Sequence, residues 1–277
     1  MQLLAPAKIN LSFQIKGRRA DGFHEIETLM APISLADRIT IERAGDDGEI
    51  HFSCDDPSLP AGDDNLVVRA AKLFRQRANI TNGITLSLEK KIPHGAGLGG
   101  GSSNAASTLL GLNELFEAGL EQRELLELAA QLGSDVPFFI FESAAICRGR
   151  GELVEPAKLQ KQLSILLVKP EFGVASEWAY SRWQDSRKIP GVSYQVQEFA
   201  GQAFVNDLER PVFEKFVFLA QLKMWLLEQP EVGAALMSGS GSAIFAVMRQ
   251  NADVDLVAKR AREELDRELW TYACETL

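Results

Sequence analysis

The residues best placed to do chemistry are gathered in Pro93–Ala106, which reads Pro-His-Gly-Ala-Gly-Leu-Gly-Gly-Gly-Ser-Ser-Asn-Ala-Ala. Five glycines (Gly95, Gly97, Gly99, Gly100 and Gly101) and two serines (Ser102 and Ser103) stand there without an acidic residue. Residues 83–92 before them nearly alternate apolar and polar, which predicts a strand. Residues 105–113 after them predict a helix. A glycine loop therefore joins a strand to a helix N-terminus. Glycine lets the backbone approach a ligand closely. The first amides of a helix lack intrahelical partners, and the helix dipole adds partial positive charge there. Together these make a phosphate cradle. No Gly-Lys-Ser/Thr closes the loop, so it is not a Walker A loop. The number of glycines and the placing of the serines do not suit a dinucleotide-binding turn either. A plain surface loop remains the simple alternative, although so many glycines carry an entropy cost that a connection has no need to bear.

Four other places hold chemistry-bearing side chains. Lys8 and Asn10 share the polar face of an alternating segment, residues 7–16, whose Ile9, Leu11, Phe13 and Ile15 share the other. On an exposed strand both would be ordinary. Asp135 follows the helix-ending Gly133 and precedes Val136-Pro137. The proline is expected to hold Val136 extended, and a simple turn aspartate is the competing reading. Phe23-His24 follow the turn Arg19-Ala20-Asp21-Gly22, and Ser238-Gly239-Ser240-Gly241-Ser242 forms a second glycine-serine loop. Ser102 and Ser103 could equally do no more than cap a helix.

The elements that must position these groups follow from periodicity. Extended segments are expected at 23–33, 38–42, 49–53, 144–148, 152–155, 163–168, 243–248 and 270–274. Asp63-Asp64-Asn65 should cap a helix over 66–77, and further helices are expected at 121–132, 173–183, 213–228 and 253–269. Residues 45–48 read as an acidic turn and 185–193 as a connection. A break near residue 156 divides the chain into 1–155 and 156–277. The second part has a strand-helix-helix-strand-helix-strand order that suits a split βαβ sandwich.

Composition sets bounds. The chain has 277 residues, is 46% hydrophobic and carries a net charge of −9. That is enough for one large or two ordinary cores, and it argues against a nucleic-acid binder with a basic face. Cys54, Cys147 and Cys274 are odd in number and far apart, so neither a disulfide framework nor a zinc spacing follows. No secretory leader or 18-residue apolar span is visible, so a soluble, cytoplasmic protein without membrane partners is expected.

On these motifs the chain resembles the GHMP kinase superfamily. Gly97–Ala106 is similar to its second motif. Pro6-Ala7-Lys8-Ile9-Asn10-Leu11 is similar to the first, and Gly239-Ser240-Gly241 to the third. Within the superfamily, Arg19–His24 and Gly133–Pro137 resemble the 4-diphosphocytidyl-2-C-methyl-D-erythritol kinases. The likeness runs from Pro6 to about Val247 and is densest in the first half. Phe23 stands where tyrosine is commoner, and Ser176 and Ser238 where threonine is.

The resemblance implies an α+β fold, with a first domain like the second domain of ribosomal protein S5 and a ferredoxin-like second domain. It implies ATP and Mg²⁺, and phosphorylation of the 2-hydroxyl of a cytidine diphosphate-linked methylerythritol in non-mevalonate isoprenoid synthesis. It makes Asp135 the catalytic base and Lys8 its partner. Asn65 and Lys90 would face the adenine. Pro93, Gly95, Gly97, Leu98, Gly99, Gly100, Gly101, Ser102, Ser103 and Asn104 would hold the triphosphate, with Ser103 on the metal. Asn10, Phe23, His24, Asp135, Ser176, Tyr180, Gly239, Ser240 and Gly241 would line the substrate site. Cytosine needs an aromatic platform and polar partners along its edge, which Phe23 and His24 could supply. A homoserine- or mevalonate-type kinase, or a non-catalytic nucleic-acid-associated module, stays as an alternative. Oligomeric state is open.

Overall fold

β1 (Gln2–Arg18) and β2 (His24–Arg43) form one long antiparallel pair in the computed structural model, which describes residues 1–45 and 48–277. The two segments expected at 23–33 and 38–42 are thus a single strand. Its register against β1 shifts between Pro6 and Ala7, where Ser34 and Leu35 are accommodated. A second shift, between Asn10 and Ser12, leaves Leu11 as the extra residue; such bulges bend a strand and re-aim its side chains. Of the expected acidic turn, Asp46 and Asp47 lie outside the described residues.

The chain continues through β3 (Ile50–Cys54), α1 (Leu66–Ala78), β4 (Ile84–Glu89) and α2 (Gly100–Leu115). It then makes α3 (Gln122–Leu132), α4 (Val136–Ile140), β5 (Ala145–Gly149) and β6 (Leu153–Pro156). Asn65 caps α1 as expected, its side chain accepting from the Val67 amide at 2.9 Å. Two expectations are corrected here. Helix α2 begins at Gly100, not near Ala105, so Gly100–Asn104 form its first turn. Val136 is not extended: it opens the short helix α4, and Pro137 falls in the first turn, where its missing N–H leaves nothing unsatisfied.

The second half comprises β7 (Ser164–Lys169), α5 (Ser176–Arg182), β8 (Gln197–Phe199), β9 (Gln202–Asn206), α6 (Glu209–Lys215) and α7 (Val217–Glu228). After these come β10 (Val232–Met237), β11 (Ile244–Met248), α8 (Val254–Glu264) and β12 (Trp270–Glu275). The single helix expected over 213–228 is broken at Phe216, whose backbone at φ −110°, ψ 70° is not helical. Strands β8, β9 and β10 were not legible in the sequence.

The strands make two sheets. The larger runs β3-β4-β2-β1-β9-β8, with β5 on the other stretch of β2 and β6 beyond it. The smaller runs β10-β11-β7-β12, wholly antiparallel. With its helices it has the ferredoxin-like connectivity expected. Strand β9 returns to pair in parallel with β1, so the second half also contributes to the first sheet.

Three apolar clusters stack these parts into four layers. One lies between α1–α4 and the large sheet, around Phe74, Leu109 and Phe138. One lies between the sheets, where Ile9, Leu11 and Ile33 meet Ile165, Leu167 and Phe245. The third lies under the second-half helices, where Leu166, Val168 and Ala246 meet Val212, Leu222 and Val257. Successive residues of β7 serve opposite clusters, so its apolar run has no polar face.

The two glycine loops hold the halves together. Gly95 and Ala96 carbonyls accept from the Ser242 and Ala243 amides at 3.2 and 3.1 Å, and Ser238 Oγ donates to the Gly97 carbonyl at 3.0 Å. Gly97 has φ +72°, and a Cβ there would stand 2.1 Å from the Ser238 carbonyl oxygen. Gly101, within α2, would place a Cβ 3.5 Å from Leu66 Cδ1, an ordinary contact. Gly97→Ala is therefore expected to lose about 2–5 kcal/mol from left-handed strain and overpacking. Gly101→Ala should be neutral or gain up to about 1 kcal/mol of helix propensity. Urea unfolding of both variants checks this; equal effects would contradict the interlock.

Candidate active site

Both loops open onto one cleft of about 1190 Å³, lined from both halves of the chain. Lys8 lies at its floor. The Lys8 amide donates to the Leu98 carbonyl at 2.9 Å, which fixes the strand under the first glycine loop. Its ammonium donates to Asn10 Oδ1 at 2.6 Å and stands 3.7 Å from Asp135 Oδ2. The Lys8 side chain is only 4% exposed, whereas that of Asp135 is 40% exposed. The polar face of β1 is thus buried where an exposed strand would show it. Desolvation pulls the Lys8 pKa below the ordinary lysine value, and the Asp135 charge opposes that fall. Asn10 is fixed in turn: its Nδ2 donates to Thr28 Oγ1 at 2.8 Å, and Thr28 donates to the Ser12 carbonyl at 2.6 Å.

Asp135 immediately precedes α4 and makes no capping bond with its side chain, so the carboxylate is left to the cleft. Gly99 and Gly239 leave room for Lys8. A Cβ on Gly99 (φ +71°) would stand 2.9 Å from Phe139 Cζ and 3.0 Å from Lys8 Cγ, and one on Gly239 would stand 3.3 Å from Lys8 Nζ. The nearby Cys147 thiol is buried and pushed up to about 12, chiefly by desolvation and then by Asp135, so it stays protonated.

Ser102 and the glycines of the first loop line the cleft with the N-terminus of α2. Ser103 does not: it is fully buried, and its Oγ has no hydrogen-bond partner. Lys90, Asn65 and Asn104 border the same end of the cleft, but their side chains are already engaged. Asn65 Nδ2 donates to the Pro60 carbonyl at 2.8 Å, while its Oδ1 caps α1. Lys90 pairs with Asp37, and Asn104 Nδ2 donates to Asp37 Oδ2 at 2.9 Å. Asp37 is the residue sequence reasoning missed here. It is wholly buried, and its Oδ1 also accepts from the amides of Lys91 and Ile92, at 2.7 and 2.8 Å. One carboxylate thereby ties the end of β4, the loop entry and the first turn of α2 together.

The aromatic end of the cleft gathers residues far apart in sequence. His24 stacks on Tyr180 with centroids 5.4 Å apart and rings at 28°, and Trp183 meets His24 edge-on at 5.9 Å. Burial and Arg18 hold His24 below the usual imidazole range, so the ring is neutral near pH 7 and can both donate and accept. Burial and Asp135 raise the Tyr180 phenol, which stays protonated. Phe23, expected as the platform, is 51% exposed, and the Arg150 guanidinium lies over its ring at 4.9 Å. Sequence reasoning missed both Arg150 and Trp183.

The second glycine loop completes the wall. Ser176 Oγ and Ser240 Oγ share a hydrogen bond at 2.7 Å, which brings α5 onto the loop. Asn206 Nδ2 donates to the Met237 and Gly239 carbonyls, both at 2.7 Å. Below it, Glu209 and Lys223 form a buried pair at 2.6 Å, and Glu209 also accepts from the Met237 amide at 3.0 Å. These groups hold the end of β10 without touching the cleft chemistry. Among the described residues, no cluster of His, Cys, Asp and Glu could hold a metal by itself, and no helix is long and apolar enough to cross a membrane.

Comparison with known proteins gives the same architecture. The family description "GHMP kinases N terminal domain" matches residues 65–143, and "GHMP kinases C terminal" matches residues 195–267. The 4-diphosphocytidyl-2-C-methyl-D-erythritol kinase of Methylacidiphilum infernorum is 42% identical over 244 residues, covering 88% of this chain and 84% of that one. That of Syntrophotalea carbinolica is 38% identical over 272 residues, covering 96% and 95%. A crystal structure of a 4-(cytidine 5'-diphospho)-2C-methyl-D-erythritol kinase superimposes with a TM-score of 0.81 at 36% identity, over 100% of this chain and 99% of that one. The Methanococcus jannaschii mevalonate kinase shares the fold, with a TM-score of 0.70 at 14% identity over 100% and 98% of the two chains. With the GHMP kinase fold in both halves and close kinship along nearly all its length, the chain belongs to the 4-diphosphocytidyl-2-C-methyl-D-erythritol kinase family.

Proposed function

We propose that the chain transfers the γ-phosphoryl group of ATP to the 2-hydroxyl of 4-diphosphocytidyl-2-C-methyl-D-erythritol; its relatives are named as kinases of that compound. One observation carries the reading. The Lys8–Asp135 pair has a glycine loop and a helix N-terminus on one side, and an aromatic site on the other, within a single cleft.

In this account the amides of Gly99–Ser102 face the phosphates, with Asn65 and Lys90 at the nucleotide end. Asp135 orients the hydroxyl and takes its proton as the new P–O bond forms and the bond to the departing diphosphate breaks. Lys8 supplies fixed positive charge beside the transferring group, in a site where low exposure strengthens it. Asn10 holds the ammonium in place. His24 and Tyr180, with Phe23 at the rim, take the cytosine, and Ser176 and Ser240 border its ribose or alcohol. Residues 1–155 would form the nucleotide domain and 156–277 the partner domain.

The protein groups also fit a phosphate-borne Mg²⁺, which uses few protein ligands and keeps phosphate oxygens and waters. The unpartnered Ser103 hydroxyl lies in the first turn of α2 behind the cleft wall, and would hold the ion only once its side chain turns toward the cleft beside Ser102. Bound there, the ion would neutralise phosphate charge.

A homoserine- or mevalonate-type activity is the competing reading. It has no use for an imidazole stacked on a phenol beside a phosphoryl-transfer pair.

Asp135→Asn is expected to leave both KM values within about threefold and to lower kcat by about 10²–10⁴. Rapid-quench assays with the cytidyl substrate and ATP measure this. Unchanged kcat would remove Asp135 from the chemistry, and product formed equally well from mevalonate or homoserine would overturn the substrate.

A further inference from the structure

The β5–β6 turn, Gly149–Arg150–Gly151, touches both ends of the acceptor site. At one end the Gly149 amide donates to Glu25 Oε1 at 3.2 Å, next to His24. At the other, Gly151 (φ +119°) would place a Cβ 3.7 Å from Asp135 Oδ1 and 3.4 Å from the Ser134 carbonyl oxygen. Arg150 is the tip of this turn and lines the cleft between those ends.

The inference rests on the acceptor reading above, because the covalent order of that acceptor puts its diphosphate between the cytidine and the alcohol. With the base at His24–Tyr180 and the hydroxyl at Asp135, a segment with two negative charges must cross this part of the cleft. Four lysines and arginines line the cleft: Lys8, Arg18, Lys90 and Arg150. Lys8 is taken up by Asn10 and Asp135, and Lys90 by Asp37 and Asn104. Arg18 pairs in register with His24 at the strand end, on the base side.

Arg150 is differently placed. Its guanidinium carbon lies over the Phe23 ring at 4.9 Å, a cation–π contact that positions the group at the cleft. Its Nε is ion-paired with Glu152 Oε1 at 3.7 Å without a hydrogen bond, the Glu152 carboxylate accepts from the Arg150 backbone amide at 2.6 Å, and among the described residues the side chain donates no hydrogen bond, so its two terminal nitrogens stay available. The other nearby carboxylate, Asp21, is held by Arg19 Nε and the Phe23 amide, both at 3.1 Å. A planar fork with terminal donors available, placed over an aromatic ring, is suited to a phosphate.

We propose that Arg150 binds the diphosphate of the acceptor, and so makes the enzyme select a nucleotide-linked alcohol over an unlinked one. Phe23 then acts as the platform that holds the guanidinium, in addition to bordering the base.

The test compares two probes that differ only in that group. Calorimetry would measure cytidine diphosphate and cytidine binding to wild type, Arg150→Met, Arg150→Lys and Arg18→Met, with thermal melting to establish that each is folded. The expected result is that Arg150→Met weakens cytidine diphosphate about tenfold or more, the scale of a hydrogen bond to a charged group, and cytidine less than about twofold. Arg150→Lys should recover part of the loss, and the KM for ATP should not move. Arg18→Met should leave the ratio of the two affinities unchanged. Arg150→Met weakening both probes alike would reduce Arg150 to a prop for Phe23 and overturn the proposal. Loss of the ratio in Arg18→Met but not in Arg150→Met would do the same. If wild type binds neither probe while still turning over ATP with another alcohol, the acceptor reading itself fails, and the proposal falls with it.

Discussion

The constraint on which the rest of this structure depends is the burial of one cation. Taking an ammonium out of water costs several kcal/mol unless partners compensate. Lys8 is given two, Asn10 at 2.6 Å and Asp135 at 3.7 Å. Each partner has requirements of its own. Asn10 points its oxygen at Lys8 because its other end donates to Thr28, itself tied to Ser12. Asp135 can face the cleft because a proline-bearing helix starts beside it and asks nothing of its side chain. The gap of 3.7 Å, wider than a hydrogen bond, suits a carboxylate that has to take a proton from a third group.

Room for the cation is made by absence of side chains. Gly99 and Gly239 come from different halves of the chain, and a methyl on either would crowd Lys8. The loops that bring them there are laced together by Gly95, Ala96, Gly97, Ser238, Ser242 and Ala243. Each loop is fastened from behind by a buried carboxylate, Asp37 for the first and Glu209 for the second. Both carboxylates also neutralise a lysine, Lys90 and Lys223. Electrostatics and loop geometry are therefore solved together: the carboxylates that fix the backbone of each loop also balance the charge of a buried or nearly buried lysine.

Much of this was legible in the sequence because the signals are local. Asn65 ahead of an apolar helix, Gly133 ending one, and a glycine-serine run between strand and helix each declare their role within a few residues. What could not be read depends on pairing across the chain. Nothing around Asp37 in Leu35-Ala36-Asp37-Arg38 distinguishes it from a surface aspartate; its partners are 53 to 67 residues away. The polar face of β1 reads as solvent-facing because alternation cannot report what later covers it. Strand β2 looked like two strands because the bulge that admits Ser34 and Leu35 breaks the alternation. Strands β8 and β9 are short and carry no clear period; β9 is defined by its parallel pairing with β1. The helix over 213–228 looked continuous because apolar residues recur along it from Phe213 to Leu227, and only backbone geometry shows the break at Phe216.

Lys8 is a desolvated ammonium held by Asn10 and Asp135. Nitrogen-15 NMR titration of the Lys8 side chain, in wild type and in Asp135→Asn, tests this most directly. Burial lowers the pKa and the Asp135 charge raises it, so removing that charge must lower it again. Lys8 is expected to titrate below the ordinary lysine value of 10.5 in wild type, and lower still in Asp135→Asn. A wild-type value at or above the ordinary one, or no change on removing the carboxylate charge, would contradict it.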